Sequence, residues 1–294
     1  MSLVARLRVE VRDLLELVIL PGLAALLPWP LGFRLLRRLA RMDGLYHDAS
    51  HAALQQARQH GWARDDADWL LKRRLVTLVD HADLVLSRTR GEHWLTRHVR
   101  VEGAWPDPGQ PGIICTFHWG AGMWGLRHAR ASGLRAHPLV APLEGAHFTE
   151  RAVLHHYARA RTAEVGRVLA CEALDVSTSL RPALRALGQG EQVVAAIDVP
   201  SDQVAGTETV RLLGRQVEVP KALLRLAVQQ RLPVTLYLTG FDFATGERFV
   251  RITPLGTWSD TGLLAQTLFD TLDAAMREEP AAWHLWGEAP RFFR

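Results

Sequence analysis

Apolar positions beyond residue 110 come in short runs bounded by glycine, proline or charged residues. Residues 113–117 form such a run and lead into His118. Residues 193–197, which lead into Asp198, and 234–237 form two more, and 134–140, interrupted by Arg135 and His137, is expected as a further parallel strand. Runs without polar alternation predict strands covered on both faces. A further strand is expected at 249–252, after a hairpin over 208–219 that turns at Gly214. Between these runs the apolar spacing becomes helical. One helix follows Gly120, Gly122 and Gly125. Another covers 180–187 and stops at Gly188 and Gly190, a third covers 221–230 before Pro233, and a last one covers 263–277. Glycine suits the left-handed residue that ends a helix, and proline cannot continue one. Strands alternating with helices predict an α/β fold, with a mostly parallel central sheet flanked by helices.

The first hundred residues read differently. Residues 44–98 are helical in pattern, with Asp65 placed to cap a long apolar helix. Ahead of them, Arg6, Arg8 and Arg12 alternate with Glu10, Asp13 and Glu16. Residues 17–33 then carry no charge, and Arg34, Arg37, Arg38 and Arg41 follow. The uncharged stretch is short for a spanning helix of ~20 residues, and Pro21, Gly22, Pro28 and Pro30 interrupt it. Three placements are open: a helix or hairpin lying in a membrane interface, a short span, or a buried core helix. The interface is favoured because the arginines would sit among anionic headgroups. The expected organisation is a membrane-associating helical segment over 1–43, a helical region over 44–98 packing on the core, and an α/β domain over 99–294.

Charge narrows the partners. The formal net charge is +4, the pI is near 9.6, and lysine occurs only at Lys72 and Lys221. Arginine forks suit phosphate and carboxylate. Phospholipid surfaces, an acidic carrier protein and nucleic acid are all compatible with that balance, as is a simple compositional bias toward arginine. No nucleic-acid motif is visible and the apolar N-terminal region argues for lipid, so nucleic acid is not expected. Two cysteines, Cys115 and Cys171, exclude a disulfide framework and a cysteine-rich zinc site and suit a reducing compartment. The histidines of the helical region form no HExxH-like pattern, and no metal is expected.

His118 is the leading chemical candidate. It follows a strand at the edge where open α/β sheets bind ligands. Imidazole titrates near neutrality and can take a proton from a hydroxyl, usually with a carboxylate fixing its tautomer.

The residues TFHWGAGM around His118 resemble the first motif of the LpxL/HtrB-type (lipid A biosynthesis) lysophospholipid acyltransferases: a histidine, four residues, then an acid. AAIDVPSDQ is similar to the family's next strand end. The block from Thr209 to Asp242 is similar to its following strands and helix, and EEPAAWHLWGEAPRFF to its proline- and tryptophan-rich closing segment. These similarities cover residues ~10–294 in the family's order. The resemblance implies a glycerolphosphate-acyltransferase-like fold and an O-acyltransferase. That enzyme would move a fatty acyl chain from a thioester, carried by acyl carrier protein or CoA, to a hydroxyl of a lipid or glycolipid acceptor. The expected location is the cytoplasmic face of the inner membrane, with no cofactor. His118 would be the general base.

One departure bears on this. Where the motif has its acid, this chain has Met123, which cannot accept an imidazole N–H as a carboxylate does. Asp198 is the first candidate to replace it, if strands 113–117 and 193–197 are neighbours; Asp202 and Glu144 are further candidates. Otherwise a backbone carbonyl holds the ring, or catalysis is lost and a membrane-bound lipid-binding scaffold remains. For substrate binding, Arg159 and Arg161 are candidates for a phosphate or phosphopantetheine contact, and Lys221, at a helix start, for an anion. Gly120 and Gly122 are candidates for turning backbone N–H groups toward an oxyanion. Turns and solvated helix faces explain these residues equally well.

Overall fold

The apolar runs form the middle of one seven-stranded sheet in the computed structural model, which describes residues 2–140, 148–175, 179–204 and 206–293. The chain opens with α1 (Leu3–Leu14), a π-helical segment (Leu15–Ile19), α2 (Leu20–Leu26) and α3 (Trp29–Leu39). Next come α4 (His47–Gln59), the long α5 (Asp66–Thr89) and α6 (Glu92–His98). The sheet region then runs β1 (Val99–Glu102), β2 (Gly112–Thr116), α7 (Met123–Ala131), β3 (Ala136–Val140), α8 (Ala152–Leu169), β4 (Leu174–Asp175), α9 (Arg181–Gly188) and β5 (Gln192–Ala196). A hairpin of β6 (Thr207–Leu212) and β7 (Arg215–Pro220) precedes α10 (Ala222–Gln229), β8 (Val234–Phe241), β9 (Arg248–Gly256), α11 (Thr261–Glu278) and α12 (Ala289–Phe292).

The strand order is β1-β9-β8-β2-β5-β3-β4. Every neighbouring pair is parallel except β8 and β9, which run antiparallel. Burial explains the apolar runs: Ile113, Ile114, Val193 and Val194 are covered on both faces of the sheet. The hairpin turns at Leu213 and Gly214, both at positive φ, which only glycine adopts without strain. Asp65 does cap α5, accepting from the N–H groups of Ala67 and Asp68.

The N-terminal helices share the core with the sheet. Trp29, Phe33 and Leu36 are buried in the same apolar cluster as Ile114 and Phe292. No helix among the described residues is long and apolar enough to cross a membrane. The 17–33 stretch is instead two-sided. Pro21, Ala24 and Ala25 face the core, whereas Leu23, Leu26 and Leu31 face outward.

α1 exposes apolar side chains. Its acids turn inward: both Glu10 oxygens accept the first N–H groups of α8, from Ala152 and Val153, and Asp13 pairs with Arg151 at 2.6 Å. Glu16, in the π segment, accepts the N–H of Tyr46. Leu3, Leu7, Val11 and Leu14 lie exposed. Arg6, Arg8 and Arg12 are exposed with them, so the outer face of α1 mixes apolar side chains with arginines.

One buried charge pair joins the helical layer to the sheet. Arg248 on β9 pairs with Asp83 on α5, each side chain 1% exposed, beneath the rings of Trp29 and Trp94. Removing one partner strands the other charge. Arg248→Ala is therefore expected to cost about 3–5 kcal/mol in urea unfolding, and Arg248→Met with Asp83→Leu much less. A single-site cost under about 1 kcal/mol would contradict that reading of the pair.

Candidate active site

Strand register builds the site. In the parallel pair of β2 and β5, Thr116 lies level with Ala196. Two residues beyond that last pair, His118 and Asp198 are therefore level at the C-terminal edge. The N–H of Ile197 donates to Thr116 O and keeps the two chains together through that step. The His118 Nδ1 lies 2.9 Å from Asp198 Oδ1, and the His118 backbone N–H donates to both carboxylate oxygens at 3.0 and 2.9 Å. A carboxylate only accepts, so the neutral ring carries its proton on Nδ1 and leaves Nε2 as the free base. Asp198 is fully buried, and such a charge needs this many donors to remain in place. The His118 side chain is 46% exposed.

The C-terminal segment completes the arrangement. Trp283 Nε1–H donates to Asp198 Oδ2 at 3.0 Å. The His284 N–H donates to His118 O at 2.8 Å, and its Nε2–H to Gly120 O at 2.7 Å. Arg73, from α5, holds this segment by donating to Trp283 O and His284 O. Neither Trp283 nor His284 stands out in the sequence as a site residue. The available signal was the closing proline- and tryptophan-rich segment, whose residues clasp the carboxylate and the strand end.

The electrostatics follow from this packing. Burial opposes a charge on His118, but attraction to Asp198 and the hydrogen bond between them outweigh it and raise the imidazole above its usual value. Burial takes His284 down to about 4, so it is neutral at physiological pH and donates through Nε2. Burial likewise works against Asp80, on α5, but the Arg161 guanidinium at 2.6 Å holds its carboxyl below the usual range.

His118 opens onto a cavity of about 380 Å³. Met123, Leu126, Leu139 and Val165 give it apolar lining, and Asp80, Arg161 and His284 its polar parts. Gly122 lines it too, as the N-cap of α7, where the first-turn N–H groups have no partner within the helix.

The other candidates separate. Arg161 lines the cavity. Arg159, two positions earlier on α8, points to a different hollow beside Cys171, because two residues turn a helix by about 200°. Lys221 lies at the base of the hairpin with its stem against Gly206, away from the cavity lining. Gly120 is at the site but its N–H donates to Ala282 O, so that group is not free for an oxyanion. Its glycine is needed for close approach: at φ 71°, a Cβ there would lie 2.0 Å from Thr239 O. Asp202 pairs with Arg291 instead of His118. Met123 is the buried first residue of α7, and Glu144 lies outside the described residues.

The histidines hold one further arrangement. His47 and His51, one turn apart on α4, and Asp43 bring ligand atoms within 4.8 Å of one another at the surface. Asp43 also receives the Arg74 guanidinium. Comparison with protein-family models and with curated proteins returns no match, so the functional reading rests on these residues and their geometry.

Proposed function

We propose that this chain is an O-acyltransferase that moves a fatty acyl group from a thioester to a hydroxyl of a lipid or lipid-linked acceptor. The observation that carries the reading is the His118–Asp198 pair at the edge of β2 and β5, open to an apolar-walled cavity. His118 Nε2 takes the acceptor's hydroxyl proton. The oxygen attacks the thioester carbonyl, and a tetrahedral oxyanion forms; the first-turn N–H groups of α7 are the nearest candidates to hold it. The C–S bond then breaks, and the thiolate leaves with the proton that His118 returns. Asp198 orients the ring and stabilises the imidazolium, the part that Met123 is unable to play. The chemistry requires neither metal nor nucleotide.

The similarity to the LpxL/HtrB-type acyltransferases favours acyl carrier protein or acyl-CoA as donor and a lipid A-like glycolipid as acceptor. The outward apolar face of α1 and α2 supports a membrane surface as the working place, and by that similarity the cytoplasmic face of an inner membrane. A catalytically silent lipid-binding relative is the alternative. Its support was Met123, and a carboxylate 2.9 Å from the His118 ring supplies what methionine lacks.

Acyl transfer from a long-chain thioester into a membrane lipid extract tests the proposal. A raised pKa means the ring keeps its proton to higher pH. The rate is therefore expected to rise with pH through a midpoint above the ordinary imidazole value of about 6.5. A rate independent of pH between about 5 and 9 would argue against His118 as the base.

A further inference from the structure

We propose that a second pocket, between the α2–α3 bend and α6, holds the phosphate of an anionic phospholipid of the bilayer on which the protein lies. It rests on the membrane-surface reading above. The pocket is separate from the one at His118, with a volume of about 430 Å³. Arg90 and Arg97 supply cationic groups and His98 a ring N–H donor, Trp29 and Trp94 supply aromatic surface, and Leu26 lies at its edge.

The geometry favours a headgroup. Arg90 is fixed by donating its Nη2 to the carbonyls of Ala25, Leu26 and Leu27 at the end of α2. Its Nε is buried with no hydrogen-bond partner. The His98 ring lies 4.7 Å from that of Trp94, which presents its imidazole beside the exposed Arg97. Asp83, the nearby buried acid, is already paired with Arg248. Burial lowers the pKa of His98, and the charges of Arg97, Arg248, Arg90 and His93 push it the same way. An anion relieves that accumulation of positive charge.

The choice of lipid over a free anion comes from the rim. Leu26, Leu27 and Leu31 are 63%, 37% and 50% exposed there, continuous with the outward face of α1 and α2. Acyl chains would lie along them while the phosphate sits against Arg97 and His98. Tryptophan beside a basic patch at an apolar rim is the composition of a membrane interface.

The test is cosedimentation of the full chain with vesicles of phosphatidylcholine alone and of phosphatidylcholine mixed with phosphatidylglycerol. The wild type is expected to prefer the mixed vesicles. Arg97→Ala with His98→Ala should lose at least about fivefold of that preference, the worth of one basic group at a charged surface. Its binding to neutral vesicles should be unchanged. Arg185→Ala, an exposed arginine outside this pocket, is the control and should lose less. Equal losses in the two variants would make the effect one of general charge and overturn the site. Wild type binding both vesicle types equally would overturn the site and leave the membrane reading standing. Binding to neither would overturn both. Saturable calorimetric binding of inorganic phosphate, abolished by the double variant, would assign the pocket to a free anion and overturn the lipid.

Discussion

Asp198→Asn should lower acyl transfer by about 10⁴, the scale seen when a histidine base loses its orienting carboxylate. The carboxylate receives three N–H donors: the His118 backbone, the His118 ring and Trp283. Asparagine keeps one acceptor oxygen and presents an NH₂ where the second was, so donor meets donor. If the NH₂ faces the ring, Nδ1 becomes the acceptor and the proton moves to Nε2, which then cannot act as base. If it faces Trp283, a buried indole N–H is left without a partner, at a cost of about 1–3 kcal/mol. Two readouts separate loss of activity from loss of fold. The urea midpoint reports the stability change, and the pH midpoint of the residual rate should fall, because the charge that raised His118 is gone. Wild-type turnover in a folded Asp198→Asn protein would remove the carboxylate from the mechanism.

Changing Leu7, Leu23 and Leu26 together to glutamate should release the protein from membranes without unfolding it. These side chains are 62%, 55% and 63% exposed, so the fold does not depend on them. Transfer of each from water into an apolar surrounding is worth roughly 1.5–3 kcal/mol, and the three together about 5 kcal/mol, or some 10³-fold in partitioning. Flotation with phospholipid vesicles measures it. Deleting residues 1–41 is a poorer test, because it would take Trp29, Phe33 and Leu36 out of the core. A triple variant that floats as the wild type does would show that this face is not what meets lipid.

Both halves of the His118–Asp198 pair were visible as residues following buried strands, because a run covered on both faces shows in the sequence. Their pairing was legible only as a condition. It depends on β2 and β5 being neighbours, which strand order decides and periodicity does not. The cationic candidates show the same limit. Arg159 and Arg161 look alike in sequence, but helix phase sends only one into the cavity. Trp283 and His284 were hidden because their roles come from a tail that crosses back to β2, a contact with no local signature. The charges of α1 were visible, but not their direction. The acids turn inward because α8 needs Glu10 as its cap and Arg151 needs Asp13, and that leaves the leucines outside beside the arginines.

In the proposed reaction the His118 imidazole removes the acceptor's proton. The most direct measurement is acyl-ester formation from a long-chain thioester and a membrane lipid extract, comparing the wild type with folded His118→Ala at equal concentration. The expected result is product with the wild type and none above background with the variant. Equal product from the two would contradict the claim.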